Sequence, residues 1–155
     1  MNKLHLTSSL LFLLFLLLLI FSCGKEAEPI NYGHDECEYC RMLITDNKYG
    51  AELITEKGKV YKYDSIECLI NYALVENMIG NNEVSMLVSN YSNPGNFTDA
   101  RTAFYLHNDQ FRSPMGLNVM AFGTVDKRSR FKNENSGNQL SWIDVIELTK
   151  QKDNF

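Results

Sequence analysis

An unbroken apolar run from Leu10 to Phe21, 12 residues long and preceded by one cation at Lys3, divides this 155-residue chain into a part that directs export and a part that folds. A bilayer-spanning helix needs about 20 apolar residues, so the run is too short to cross and has the length of a signal-peptide core. It closes on Ile20-Phe21-Ser22-Cys23. Residues 1–22 are therefore read as a signal peptide. The remaining 133 residues suffice for one ordinary domain or two very small ones. The mature part keeps 14 basic and 19 acidic side chains, a net charge of −5. That mildly acidic balance argues against nucleic acid or anionic lipid as a partner.

The aliphatic and small residues ahead of Cys23 resemble the lipobox of bacterial lipoproteins, in which the cysteine is lipidated and becomes the first mature residue. Phe21 stands where that pattern prefers a small residue. The resemblance implies lipidation at Cys23 and a chain anchored to a membrane of the cell envelope, facing the periplasm or the cell surface. Cys37, Cys40 and Cys68 then remain, and an odd number outside the cytoplasm leaves at least one thiol unpaired or kept for chemistry. Gly24 to Asp35 contains Pro29, Gly33 and several charges without apolar periodicity. Residues 23–36 are read as a tether, with folded structure expected to begin near Cys37.

Beyond the tether the pattern is ββαβ. Tyr49–Ile54 reads as a strand, Glu56–Lys59 as a turn and Val60–Tyr63 as a second strand. Asp64 with Glu67 has the spacing of a capping box. Ile66, Leu69, Ile70, Ala73 and Leu74 follow as the stripe of an amphipathic helix. Val84–Val88 supplies a third strand. After a loop rich in Asn, Ser, Pro and Gly the order recurs: strands at Thr102–Leu106 and Asn118–Thr124, a short helix at Asp126–Lys132, and a closing strand or helix over Leu140–Ile146. The expectation is an α+β protein of two small ββαβ units in tandem, residues 37–92 and 93–150. Phe97-Thr98-Asp99 with Arg101 reads as a strand entry carrying an Asp–Arg pair.

The chemistry concentrates in Cys37-Glu38-Tyr39-Cys40-Arg41-Met42, two thiols three apart and a thioether two beyond. These are soft donors, suited to Cu(I) and unattractive to magnesium or calcium. A structural zinc site wants four N or S ligands, and neither a second Cys-x-x-Cys nor a paired His motif is present. In Ser113-Pro114-Met115-Gly116, Pro114 stiffens the backbone and Gly116 permits positive φ, so Met115 is placed at the tip of a tight turn. On its own Met115 reads as packing. Other readings stand beside the copper one: a plain Cys37–Cys40 disulfide in an envelope interaction domain, or a thiol–disulfide oxidoreductase using the same pair. Cys68 lies opposite the Ile66/Leu69/Ile70 stripe and reads as packing, and His34 and His107 as surface or structural residues. No Ser–His pair, paired-carboxylate pattern or phosphate loop suggests an enzyme.

Cys-x-x-Cys-x-Met near the lipobox, then Tyr63-Asp64-Ser65-Ile66-Glu67-Cys68, Thr98–Tyr105 and Ser113-Pro114-Met115-Gly116, in that order, resemble the NosL-type copper chaperones, lipoproteins that serve maturation of nitrous oxide reductase. The resemblance extends to about Ile146. It implies Cu(I) held by sulfur from both segments and passed to a cuproenzyme or its maturation complex. Cys40 and Met42 match the first motif and Met115 the second; with Cys37 they are the candidate metal ligands. Arg41 departs from the family's glycine. If that position requires positive φ, arginine bears strain there.

Overall fold

The computed structural model describes residues 26–153, so the signal peptide and Cys23 lie outside the described residues. Strands β1 (Ala51–Ile54) and β2 (Val60–Tyr63) form the expected hairpin, with Gly58 at φ +79° in the turn between them. β1 is buried along its whole length because it is central. β2 pairs on one side of it and β3 (Ser85–Ser89) on the other, both antiparallel. Helix α1 (Ile66–Val75) connects β2 to β3 and buries the predicted stripe of Ile66, Leu69, Ile70 and Ala73. In the second unit β5 (Phe104–His107) is central between β6 (Val119–Phe122) and β7 (Asn138–Leu140), with α2 (Val125–Asn135) between β6 and β7. Each unit thus has the order ββαβ with its first strand in the middle, and the fold class is α+β.

Two elements lie outside that repeat. β4 (Phe97–Asp99) adds antiparallel to β3, giving a four-stranded first sheet ordered β2-β1-β3-β4. The C-terminal helix α3 (Trp142–Asp153) packs against α1. The stretch expected as one element over Leu140–Ile146 is divided at Ser141, which exchanges hydrogen bonds with Asp144: the Asp144 carboxylate accepts from the Ser141 amide at 2.8 Å, and the Ser141 hydroxyl accepts from the Asp144 amide at 3.3 Å. That reciprocal cap starts α3. The main core runs through both units and includes Leu69, Ile70, Met86, Tyr105, Val145 and Ile146.

Three local expectations need correction. Folded structure begins before Cys37: Ile30 is buried in the core, and the Gly33 amide bonds the Ile44 carbonyl at 2.7 Å. No capping box forms at α1. Its N-cap is Ser65, without a side-chain cap bond, while Asp64 and Glu67 are both buried. The Arg101 guanidinium donates to the carbonyls of Val84 and Asn81, and Asp99 accepts the backbone amides of Arg101 and Thr102. That Asp99 turn delays β5 until Phe104.

Candidate metal centre

Residues 37–42 form a tight hairpin closed by a bridge between Glu36 and Leu43. The Cys37 amide donates to the Met42 carbonyl at 2.8 Å and the Arg41 amide to the Cys37 carbonyl at 3.0 Å. Closing so short a loop puts Arg41 at φ +64°, the left-handed region. The condition on the Arg41 departure is therefore met: this position requires positive φ, and arginine occupies it. Its guanidinium lies at 3.3–3.4 Å from the Glu38 carboxylate on the surface.

The hairpin lays Cys37 and Cys40 against the first turn of α1, where Cys68 projects. The three Sγ atoms lie within 4.8 Å of one another. A metal bonded to three thiolates at about 2.3 Å in one plane separates the sulfurs by about 4 Å, so small side-chain adjustments suffice to close the site. Cys37 and Cys68 are buried, Cys40 is half-buried, and all three are free thiols. Cys68 is packed in the core as expected, and its sulfur is also the third member of a cysteine triad. Periodicity missed it because the side of α1 facing away from the stripe is covered by the cysteine hairpin. The odd cysteine count was the signal that pointed to it.

Electrostatics distinguishes the three sulfurs. Cys37 is pulled down to about 5, first by the hydrogen bond from the Cys68 thiol, with the backbone amides of Cys40, Asp64 and Tyr39 also favouring its thiolate against the cost of burial. Cys40 is raised by burial. Cys68 is raised by its hydrogen bond to Cys37 and then by burial. The metal-free triad at neutral pH is therefore one thiolate with two thiols, and a bound metal ion takes the place of the remaining protons. Burial, followed by the Cys37 charge, lifts Asp64 to about 6.

The methionines of the two motifs occupy different settings. Met42 ends the hairpin and is 47 % exposed, and its backbone N–H supports the Cys40 sulfur. Met115 sits in the expected turn, where the Gly116 amide donates to the Ser113 carbonyl at 2.9 Å and Gly116 takes φ +80°. Its side chain is half-buried against the main core. His34 is exposed, and His107 lies 3.5 Å from Asp109. Among the described residues neither histidine belongs to the sulfur cluster.

A profile of the NosL family matches residues 31–149. The crystal structure of the copper chaperone NosL from Shewanella denitrificans superposes with a TM-score of 0.62 at 25% sequence identity, covering 76% of this chain and 93% of that one. No curated protein sequence matches. The matched region starts one residue beyond the buried Ile30 and ends within α3, taking in both ββαβ units and the cysteine triad, and on that ground the chain belongs to the NosL family.

Proposed function

We propose that this protein is a membrane-tethered metallochaperone that binds Cu(I) and delivers it to an envelope cuproenzyme, with nitrous oxide reductase as the recipient. The observation that carries the reading is the three cysteine sulfurs within 4.8 Å, one half-exposed and two buried. Three thiolate donors, backed only by the weaker thioethers of Met42 and Met115, leave an exchangeable position for an incoming sulfur or nitrogen, which a transfer site needs and a closed structural zinc site lacks. The likeness to a copper chaperone supports copper as the cargo. Cys37, Cys40 and Cys68 hold the ion as thiolates, and Met42 and Met115 contribute thioethers that suit Cu(I) better than zinc. Handover is ligand exchange, with no change in oxidation state.

On this reading residues 1–22 are removed on export and Cys23 carries the lipid. Because the Glu28 amide is bonded to the Glu52 carboxylate and the Pro29 carbonyl to the Lys62 ammonium, only residues 24–27 remain to separate lipid from domain. Fully extended, that link spans about 14 Å, so the domain stays close to the membrane surface.

The test is anaerobic titration of the reduced protein with Cu(I) against a competing chelator, with Zn(II) in parallel and mass spectrometry for stoichiometry. One Cu(I) per chain, held more tightly than zinc and lost in Cys40→Ala, is the expected result. Undiminished Cu(I) affinity in both Cys40→Ala and Cys68→Ala would remove the site. Loading apo nitrous oxide reductase from the copper-bound form, with Cys23→Ala released from membranes, tests the recipient and the anchor.

A further inference from the structure

Glu67 is 3 % exposed yet ionisable, and it is the chain neighbour of Cys68 on the first turn of α1. Its Oε1 accepts the Leu117 amide at 2.7 Å and the Ser113 hydroxyl at 3.2 Å, the two residues that flank Pro114-Met115-Gly116. Lys152 of α3 lies 3.8 Å from the same oxygen, and its ammonium also donates to the Met115 carbonyl. One carboxylate therefore fixes both ends of the Met115 turn, and its cationic partner fixes the middle. The other oxygen, Oε2, is buried without a partner among the described residues. Where stability alone matters, a well-packed apolar residue is often as good as a buried charge or better. A carboxylate retained at this cost fits a positional role.

We infer that Glu67 is the positioning residue that sets the Met115 thioether relative to the cysteine triad. The inference rests on the copper reading above and assigns the coupling between its two segments. Successive Cα atoms lie 3.8 Å apart, so an anchor on Glu67 references the turn directly to Cys68. The mechanism is geometric: Glu67 binds no metal, and its loss frees a turn that otherwise presents Met115 in one place. Supporting partners of this kind typically change metal affinity by about 10–100-fold.

The test uses the full-length reduced protein in detergent, with ¹³C-methyl methionine NMR of the metal-free form and anaerobic Cu(I) competition. In Glu67→Ala the Met115 methyl resonance should shift or broaden while that of Met42 stays in place. Cu(I) affinity should fall about 10–100-fold. Glu67→Gln keeps an acceptor oxygen and should recover most of both signals. In the Glu67→Ala/Met115→Leu double variant the loss should be no greater than in Met115→Leu alone. An unmoved Met115 methyl in Glu67→Ala, or losses that add in the double variant, would overturn the inference. Full affinity in Met115→Leu would overturn it too, while leaving copper on the cysteines. Failure of the wild type to bind Cu(I) would end the copper reading separately, since the methyl readout requires no metal. Ser113→Ala removes one of the two anchoring bonds and carries the same comparison should Glu67→Ala not fold.

Discussion

Arg41→Gly should stabilise the metal-free protein, and Arg41→Ala supplies the comparison that isolates the cause. Arg41 has φ +64°, where a side chain costs about 1–2 kcal/mol through the clash of Cβ with the following carbonyl. Glycine removes that cost but has more freedom in the unfolded chain, which returns about 0.5–1 kcal/mol. The lost Glu38 pair counts for little: its contacts are 3.3–3.4 Å, but the Arg41 side chain is 66 % exposed and such pairs contribute about 0–1 kcal/mol. The net gain over arginine is about 0.5 kcal/mol. Alanine loses the same pair and keeps the left-handed strain, so glycine should exceed alanine by about 1 kcal/mol, or about 3 °C in Tm for a domain of this size. Thermal and urea unfolding of the reduced, metal-free variants measures it directly. Arg41→Gly melting at or below Arg41→Ala would mean that the hairpin does not strain position 41. Cu(I) affinity should change little, because an exposed guanidinium is screened by water.

Leu69→Ala and Ile70→Ala empty fully buried positions and should each cost about 2–5 kcal/mol in urea unfolding, whereas Ile143→Ala, at a site 69 % exposed, should stay within about 0.5 kcal/mol. Glu52 is fully buried on β1, and burial raises its carboxyl to about 7. A raised carboxyl contributes its stability below the unfolded-state pKa and loses it as pH rises through the folded value. Between pH 4.5 and 7 the urea midpoint of the wild type should therefore fall relative to that of Glu52→Gln, which lacks this contribution. Cu(I) affinity should drop on acidification from pH 8 to 6, because Cys40 and Cys68 are both raised and must lose protons to bind; a pH-independent affinity would exclude them as ligands.

The strands and helices that bury one face of a pattern were legible. β1, β2 and α1 follow from alternation, the turn around Gly58 and the stripe from Ile66 to Ala73. Glycine at 116 correctly marked a turn that needs positive φ. β7 was not legible as a strand, because Asn138-Gln139-Leu140 has no β-branched or aromatic residue and is held extended by pairing with β5. β4 carries Phe97 and Thr98 and was legible as a strand entry, but its pairing with the edge of β3 was not. In both cases the information resides in the partner.

The same limit governs the candidate site, and its failures occur together. A helical stripe identifies the face turned toward the helix's own sheet. It says nothing of segments that arrive on the other faces. On α1 two do arrive: the cysteine hairpin covers Cys68, and the Met115 turn, 50 residues further along the chain, covers Glu67. From the sequence, Cys68 reads as packing and Glu67 as a cap. Glu67 matched a capping box because that motif is defined by spacing alone, and spacing cannot distinguish a carboxylate turned back to its own helix from one turned outward to another segment. What separates the two is burial: a cap on an open helix end remains wet, whereas Glu67 is dry and bonded to the Ser113 hydroxyl and the Leu117 amide. A thiol and a carboxylate adjacent on the nominally outer side of a helix, both buried, break the local rule for where polar residues go. Such violations concentrate where a protein does its work. In this chain that side of α1 is where the two ββαβ units meet and where the sulfur site is assembled.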